Sequence, residues 1–344
     1  MAKILILGAG AMGSAFTNPC VDAGHKASIV GTHLEDEFID KINKNKKKHP
    51  ILNFRISNKV KVMKFSNFFT EAKQSTILVI GVNSRGIDWV ADQINFLDNF
   101  KGEIILLTKG ISISKSGKLE TLVDKLKNLL INKKISISAI AGPCLAKGLA
   151  NKVHTSVVIV NSNTKKAKYL AAKLKTKYYH TTYSNDVSGV EILAAIKNIY
   201  SMIIGAGEAS SVKQNINKES NLHLNTQASL ISQSIREMVY IIERFKGNKN
   251  SVFGLAGLGD LFVSSLGGRN SKMGKYLGLG YTYQDAKRKF MSKETVEAAD
   301  LIFDIGKKLL SLLPSKKVPL MTSLIRSLLS NKKFNINWST IHHA

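Results

Sequence analysis

The chain has 344 residues, enough for two domains, and its 44% hydrophobic content with mean hydropathy near zero excludes a disordered chain. It holds only two cysteines, Cys20 and Cys144, without metal-like or CxxC spacing, so a reduced chain without a metal site is expected. The formal charge of +26 would suit an anionic partner, but the lysines are spread along the whole chain and form only one compact run, Lys46-Lys47-Lys48. That distribution argues against a dedicated nucleic-acid surface and leaves an anionic metabolite as the expected partner.

The N-terminus "MAKILILGAGAMG" is interrupted by glycines too soon for a signal peptide. No run of about 18 uncharged apolar residues suggests a transmembrane segment, so a cytoplasmic protein is expected. "AKILILG" predicts a buried strand, residues 8–24 a glycine turn and helix, and "KASIVG" a second strand. Further strands are expected at 75–82, 102–110, 134–142 and 154–160, with helical composition between several of them, as at 86–96 and 118–131. Strands alternating with helices imply an α/β fold built on a Rossmann-like, doubly wound parallel sheet.

From about residue 186 the periodicity becomes helical, with apolar residues at Ile192, Ala195, Ile196, Ile199, Met202 and Ile203. The expected division is therefore 1–185 for a dinucleotide-binding domain and 186–344 for an all-helical catalytic domain. Helices are expected around 226–245, 294–313 and 321–330, and a long polar loop over 207–225. His342 and His343 are the only adjacent histidines, and no metal site is expected from them.

Gly8-Ala9-Gly10-Ala11-Met12-Gly13 is a GxGxxG motif that follows a strand and opens a helix. Gly8 permits the tight turn, Gly10 lets a pyrophosphate approach the backbone, and Gly13 allows close helix–strand packing. The helix N-terminus offers N–H groups to the phosphates. The second strand ends in Gly31, Thr32 and His33, where an acid would favour NAD. Glu35 and Asp36 come later, as charges favourable to the next helix's N-terminus. Thr32 and His33 could contact a 2′-phosphate, so the choice between NAD and NADP stays open.

Lys109 ends a strand in "LLTKG", where an anionic ligand would lie in such a sheet. Lys197 sits within the apolar "AAIKNIYSMIIG", either snorkelling to water or held in a site. In a site, burial would disfavour its charge and a carboxylate would restore it, leaving an ammonium able to protonate a reduced carbonyl oxygen. Asp260, alone in an uncharged segment, is the candidate partner. Arg269 and Asn270 follow Gly267-Gly268, and a guanidinium fork with an amide suits phosphate.

Taken together, "TKG" at 108–110, "AGPCLAKGLA" at 141–150, "IKNIYSMIIGAG" at 196–207 and "GLAGLGDLFVSSLGGRN" at 254–270 resemble the soluble NAD(P)-dependent glycerol-3-phosphate dehydrogenase family. The resemblance runs over most of the chain. It implies hydride transfer between NAD or NADP and C2 of dihydroxyacetone phosphate, yielding sn-glycerol 3-phosphate for phospholipid synthesis, by a homodimer. It implies Lys197 as the catalytic lysine and Asp260 as the carboxylate that polarises it. Lys109, Asn198, Ser264, Arg269 and Asn270 would hold the substrate. Gly8, Gly10, Ala11, Met12, Gly13, Thr32, His33, Lys109, Arg269 and Glu297 would hold the cofactor, Glu297 marking a loop that closes near it. The chain departs from the family at Cys144, Gly148 and the "GVNS" of 81–84. The readings to be weighed against this one are another hydroxyacid dehydrogenase of the same architecture and a non-catalytic nucleotide-binding relative.

Overall fold

The apolar runs of the N-terminal half become strands because helices cover them on both faces, so nearly every residue of each central strand is buried. The computed structural model describes residues 1–97, 100–214 and 223–341; the His342-His343 pair lies outside the described residues. Ten strands occur among the described residues: β1 (Lys3–Leu7), β2 (Lys26–Val30), β3 (Lys61–Met63), β4 (Ile77–Ile80), β5 (Glu103–Leu106), β6 (Ile111–Ile113), β7 (Leu119–Thr121), β8 (Ile137–Ala141), β9 (Thr155–Val160) and β10 (Tyr179–Ser184). Eight of them form one sheet in the order β3-β2-β1-β4-β5-β8-β9-β10.

From β3 to β8 every pairing is parallel, and the strand order reverses direction between β1 and β4. Ligands bind outside the carboxyl ends of the strands at such a reversal. The expected doubly wound parallel sheet is present, and at its far edge β9 runs antiparallel to β8 and carries β10 parallel to itself. The connection from β8 to β9 holds only one short helix, Ala146–Ala150, and turns the chain back beside β8 without a crossover.

Two units are distinguishable. The first comprises residues 1–110 and 118–187, the second 111–117 and 188–344. The segment carrying β6, read from sequence as part of the first domain, therefore groups with the second unit. Apart from β6, the described regular structure of the second unit is helical. Its long helix Val187–Gln214 has enough length and apolarity to cross a bilayer, but 83% of the apolar window is buried, as in a core helix.

That helix also corrects the expected loop over 207–225. Residues 207–214 are helical, the next helix, His223–Arg244, begins at His223, and the intervening 215–222 lie outside the described residues. Polar side chains that read as a solvated loop are instead matched across two helices. Gln227 Nε2 donates to Glu208 at 2.8 Å, and the Ser211 and Thr226 hydroxyls meet at 2.7 Å.

Glycines let the helices of the second unit touch. A Cβ on Gly274 or Gly278 would collide with the carbonyls of Met202 and Ala206, and one on Gly205 with the carbonyl of Ser271. The helix Arg269–Gly278 thus lies backbone to backbone on Val187–Gln214, which fixes the distance between the residues the two carry.

A buried carboxylate ties the unit together at its other end. Glu237, fully buried, accepts from the backbone N–H groups of Leu320 (2.8 Å) and Met321 (3.1 Å), from Gln233, and from the Tyr200 hydroxyl at 3.0 Å. Leu320 and Met321 open the helix Pro319–Leu329, so a negative charge there meets unsatisfied donors. Burial nevertheless outweighs these bonds and pushes the Glu237 carboxyl up to about 7. A folded value above the unfolded one means the proton stabilises the fold. That contribution is complete below about pH 4.5 and is lost as pH rises through 7. Glu237→Gln, measured by denaturant unfolding at pH 5.5 and pH 8, should show a flatter pH dependence than the parent. Equal slopes would refute the assignment.

Candidate active site

The carboxyl end of β1 leads into the glycine motif. Gly8 adopts φ +108°, a left-handed backbone suited to glycine, and a Cβ there would lie 3.0 Å from the Gly81 carbonyl carbon. A Cβ on Gly13 would collide with the Gly8 carbonyl oxygen, whereas one on Gly10 would meet no protein atom within 4 Å. Gly10 also caps the helix Ala11–Asp22 with no side-chain bond, and that helix has no acid in its first turn. Ala11, Met12 and Gly13 supply its first N–H groups. Open space at Gly10 beside an uncapped, acid-free helix N-terminus fits a dinucleotide pyrophosphate.

The surroundings of the loop contain two residues that the sequence did not reveal as part of it. Glu35 precedes the helix Asp36–Lys44 as expected, but its carboxylate turns back. One oxygen accepts from Ala9 N–H at 3.1 Å and from Thr32 N–H at 2.8 Å. His49, buried at 0% exposure, accepts from the N–H groups of Ile51 and Leu52 through Nδ1. Its Nε2 is therefore the protonated nitrogen and donates to the Ala9 carbonyl at 3.3 Å. The Ala9 peptide is thus held at both its N–H and its carbonyl. No sequence pattern links positions 9, 35 and 49, because the contacts depend on the fold of the 45–56 segment. Thr32 and His33 lie just beyond β2, and the His33 ring packs on Trp89 (4.8 Å between centroids) and Phe65 (6.4 Å).

The loop makes a direct prediction. Gly10→Ala should keep the parent's thermal stability while weakening NADH and NADPH binding at least about tenfold, because its methyl enters only ligand space. Gly13→Ala should lose stability as well, on the order of 1–3 kcal/mol for overpacking. Calorimetric titration beside thermal unfolding checks both, and a Gly10→Ala variant with undiminished binding would contradict the placement.

In the second unit, Lys197 lies on Val187–Gln214 and is 6% exposed, with Asp260 at 3% and Ser264 at 7%. Lys197 Nζ donates to Asp260 Oδ1 at 2.7 Å and to Ser264 Oγ at 2.5 Å. The local chain explains the inward carboxylate. Residues Leu255–Gly259 form a π-helical turn, and a Cβ on Gly257 would collide with the Val252 carbonyl. This wide turn delivers Asp260 to the start of the helix Asp260–Ser265. Ser201, one helical turn beyond Lys197, donates to the Ser264 carbonyl at 2.7 Å and holds that helix in place.

Gly268 caps the following helix without a side-chain bond, and Arg269 and Asn270 stand in its first turn. Arg269 pairs with Glu297, and Asn270 Nδ2 donates to the same carboxylate at 3.2 Å. Asn270 Oδ1 in turn accepts from Ala298 N–H at 2.9 Å. Glu297 is the first residue of the helix Glu297–Leu312. The expected closing loop is therefore, at this residue, a helix start whose carboxylate already engages the two anion-binding candidates. Asn198 adjoins Lys197 in sequence and is half-buried, with no hydrogen bond from its side chain among the described residues. Lys109 belongs to the first unit, half-buried just beyond β5. Cys20 and Cys144 are both free thiols.

A buried lysine–aspartate pair beside a guanidinium–amide pair, on a chain with a dinucleotide loop, narrows the possible relatives. The profile of the NAD-dependent glycerol-3-phosphate dehydrogenase N-terminus matches residues 3–167, and that of the C-terminus matches residues 186–337. The chain belongs to this family. It is 30% identical over 284 residues to the NADP(+)-dependent glycerol-3-phosphate dehydrogenase of Archaeoglobus fulgidus, covering 82% of each chain. It is 28% identical to glycerol-3-phosphate dehydrogenase [NAD(P)+] of Clostridium acetobutylicum, over 96% of this chain and 94% of that one. The crystal structure of the Coxiella burnetii glycerol-3-phosphate dehydrogenase superposes with a TM-score of 0.80 over 96% of each chain at 22% identity, a likeness of fold. Membership makes this chain an NAD(P)-dependent oxidoreductase. The glycine motif falls at the carboxyl end of β1, Lys109 just beyond β5, Lys197 within the helix Val187–Gln214, and Asp260, Arg269, Asn270 and Glu297 on the first turns of other helices of the second unit.

Proposed function

We propose that the chain interconverts dihydroxyacetone phosphate and sn-glycerol 3-phosphate, with Lys197 as the group that protonates the oxygen at C2 in the reductive direction. The observation that carries the assignment of roles is the Lys197–Asp260 pair, 2.7 Å long and nearly excluded from solvent. NAD(P)H, held by the glycine loop, would supply a hydride to C2. Lys197 would give a proton to the C2 oxygen, so that the ketone becomes a secondary alcohol. Asp260 keeps the lysine charged and fixes its direction through the chain's own hydrogen bond, and Ser264 holds the ammonium from a second side. Water then restores the proton to Lys197.

Arg269 and Asn270, at an uncapped helix start, are assigned to the substrate phosphate, and Arg269 is assigned to the cofactor as well by its motif position alone. Because Glu297 holds both side chains, phosphate binding must redistribute those bonds. Lys109 and Asn198 are assigned to substrate by their motif positions alone. Gly8, Gly10, Ala11, Met12, Gly13, Thr32 and His33 are assigned to the cofactor. Supply of glycerol phosphate for phospholipid synthesis, a cytoplasmic location and a homodimer are proposed from family membership. Loss of NADH or NADPH absorbance on addition of dihydroxyacetone phosphate tests the reaction. Turnover of unphosphorylated hydroxyacids in place of the three-carbon phosphate would replace it.

A further inference from the structure

The proposed hydride transfer gives no task to His49, although this side chain is wholly buried against the glycine loop. Its own segment builds the enclosure. The His49 N–H donates to the Phe54 carbonyl at 2.8 Å, and Asn53 N–H donates to the His49 carbonyl at 3.1 Å. Phe54 stacks on the imidazole with 6.0 Å between centroids, and Phe38 meets it edge-on at 5.2 Å. Nδ1 accepts from Ile51 N–H at 3.2 Å and Leu52 N–H at 3.1 Å. The ring therefore carries its one proton on Nε2, and that proton goes to the Ala9 carbonyl.

The Ala9 carbonyl belongs to the Ala9–Gly10 peptide, and it also accepts from the Ser14 hydroxyl at 2.9 Å. A trans peptide is planar, with its C=O and N–H opposed. Holding the carbonyl against His49 and Ser14 consequently turns the Gly10 N–H the other way. That N–H has no acceptor among the described residues, and a Cβ on Gly10 would meet only open space. A backbone donor suited to a pyrophosphate is thus aimed from behind by a histidine 40 positions away.

We propose that His49 is the positioning residue of the nucleotide loop: neutral, it aims the Gly10 N–H at the cofactor, and protonated, it lets that N–H go, so that nucleotide affinity falls in acid. The proposal rests on the glycine loop as the nucleotide site and not on the substrate chemistry. A second proton would have to sit on Nδ1, which already faces two N–H donors, so the imidazolium does not fit the loop as folded. Burial holds the imidazole below its ordinary value of 6.5, against the opposing pull of the Ala9 bond and of Glu35. Other charges nearby are engaged or exposed. Lys47 Nζ binds the carbonyls of Asn58 and Val60, Lys48 and Arg55 are exposed, and Asp40 of the helix Asp36–Lys44 pairs with Lys64. Because the folded value is depressed, the neutral ring and its bonds are fully present above 6.5 and decline as pH falls from there through the folded value.

The test is calorimetric titration of the full chain with NAD⁺ and with NADP⁺, without substrate, at pH 7.5 and pH 5, on the parent, His49→Asn and His49→Gln. His49→Asn keeps an acceptor for the Ile51 and Leu52 N–H groups but is too short to donate to Ala9. At pH 7.5 it should bind nucleotide at least about fivefold more weakly than the parent. His49→Gln carries an amide long enough to reach the Ala9 carbonyl and should bind more tightly than His49→Asn. Between pH 7.5 and pH 5 the parent should lose at least about fivefold in affinity, and both variants, without a titrating ring, less than about twofold. All other titrating groups are common to the three proteins, so the difference in pH dependence reports His49. Thermal unfolding at both pH values separates loss of the loop from loss of the fold. A parent whose affinity is flat with pH, variants that share the parent's fall, or a His49→Asn that binds as the parent does overturns the proposal. Failure of the loop reading shows differently, as no nucleotide binding by the parent even at pH 7.5, and overturns both.

Discussion

Lys197→Ala should reduce kcat for dihydroxyacetone phosphate reduction by about 10³-fold or more, near the upper end of what a positioned general acid supplies. NADH binding should stay within about twofold, because Lys197 and the glycine loop belong to different units of the chain. The size of the effect follows from its surroundings. Lys197 is the ammonium held in place by Asp260 and Ser264, so removing it leaves no positioned proton donor and takes the ion-pair partner from the buried Asp260 carboxylate. Steady-state kinetics with a separate nucleotide titration separates the two quantities. A variant with near-parental kcat would remove Lys197 from the chemistry.

Asp260→Leu should be the most destabilising of the substitutions considered, by about 3–5 kcal/mol, because a buried ammonium loses its counter-charge. Ser264 remains at 2.5 Å but offers a neutral hydroxyl only. The double variant Lys197→Met/Asp260→Leu should recover most of that loss, since a buried ion pair is often replaceable by apolar groups of similar volume at little cost. It should recover no activity. Denaturant unfolding of the parent, both singles and the double forms the cycle. If the double variant is as unstable as Asp260→Leu alone, the pair serves the fold rather than the chemistry. Recovered stability with lost turnover places it in the reaction.

The strands of the first unit were legible from sequence where apolar runs are buried on both faces, as in "ILVI" of β4. β10, "YHTTYS", was not, because it lies at the sheet edge half exposed and has no apolar run to announce it. The antiparallel step at β9 was invisible for a related reason, since "TSVVIV" reads the same in either direction. The helix over 207–214 was read as a loop because its polar residues satisfy one another across helices, a tertiary fact absent from local periodicity.

Within the site, Lys197 and Asp260 could each be named from sequence as an isolated charge in an apolar segment. Their pairing spans 63 positions, and the π-helical turn at Leu255–Gly259 that aims Asp260 inward leaves no periodic trace. Glu297 was read from sequence as marking a loop that closes near the cofactor, but its bonds to Arg269 and Asn270 depend on how two helix starts meet. His49 had no legible role. A lone histidine in a lysine-rich stretch becomes part of the nucleotide loop only once the 45–56 segment folds under Ala9.

The most direct test of the central claim compares dihydroxyacetone phosphate with dihydroxyacetone as oxidants of NADH in the parent and in Lys197→Ala. The account predicts turnover of the phosphate ester by the parent and a kcat/KM for the unphosphorylated ketone lower by at least about 10²-fold, since a buried or partly buried anion site left empty forfeits charge-assisted bonds. It predicts that Lys197→Ala loses turnover of both. Equal kcat/KM for the two ketones, or no oxidation of NADH or NADPH by the phosphate ester under any condition that preserves nucleotide binding, would contradict it.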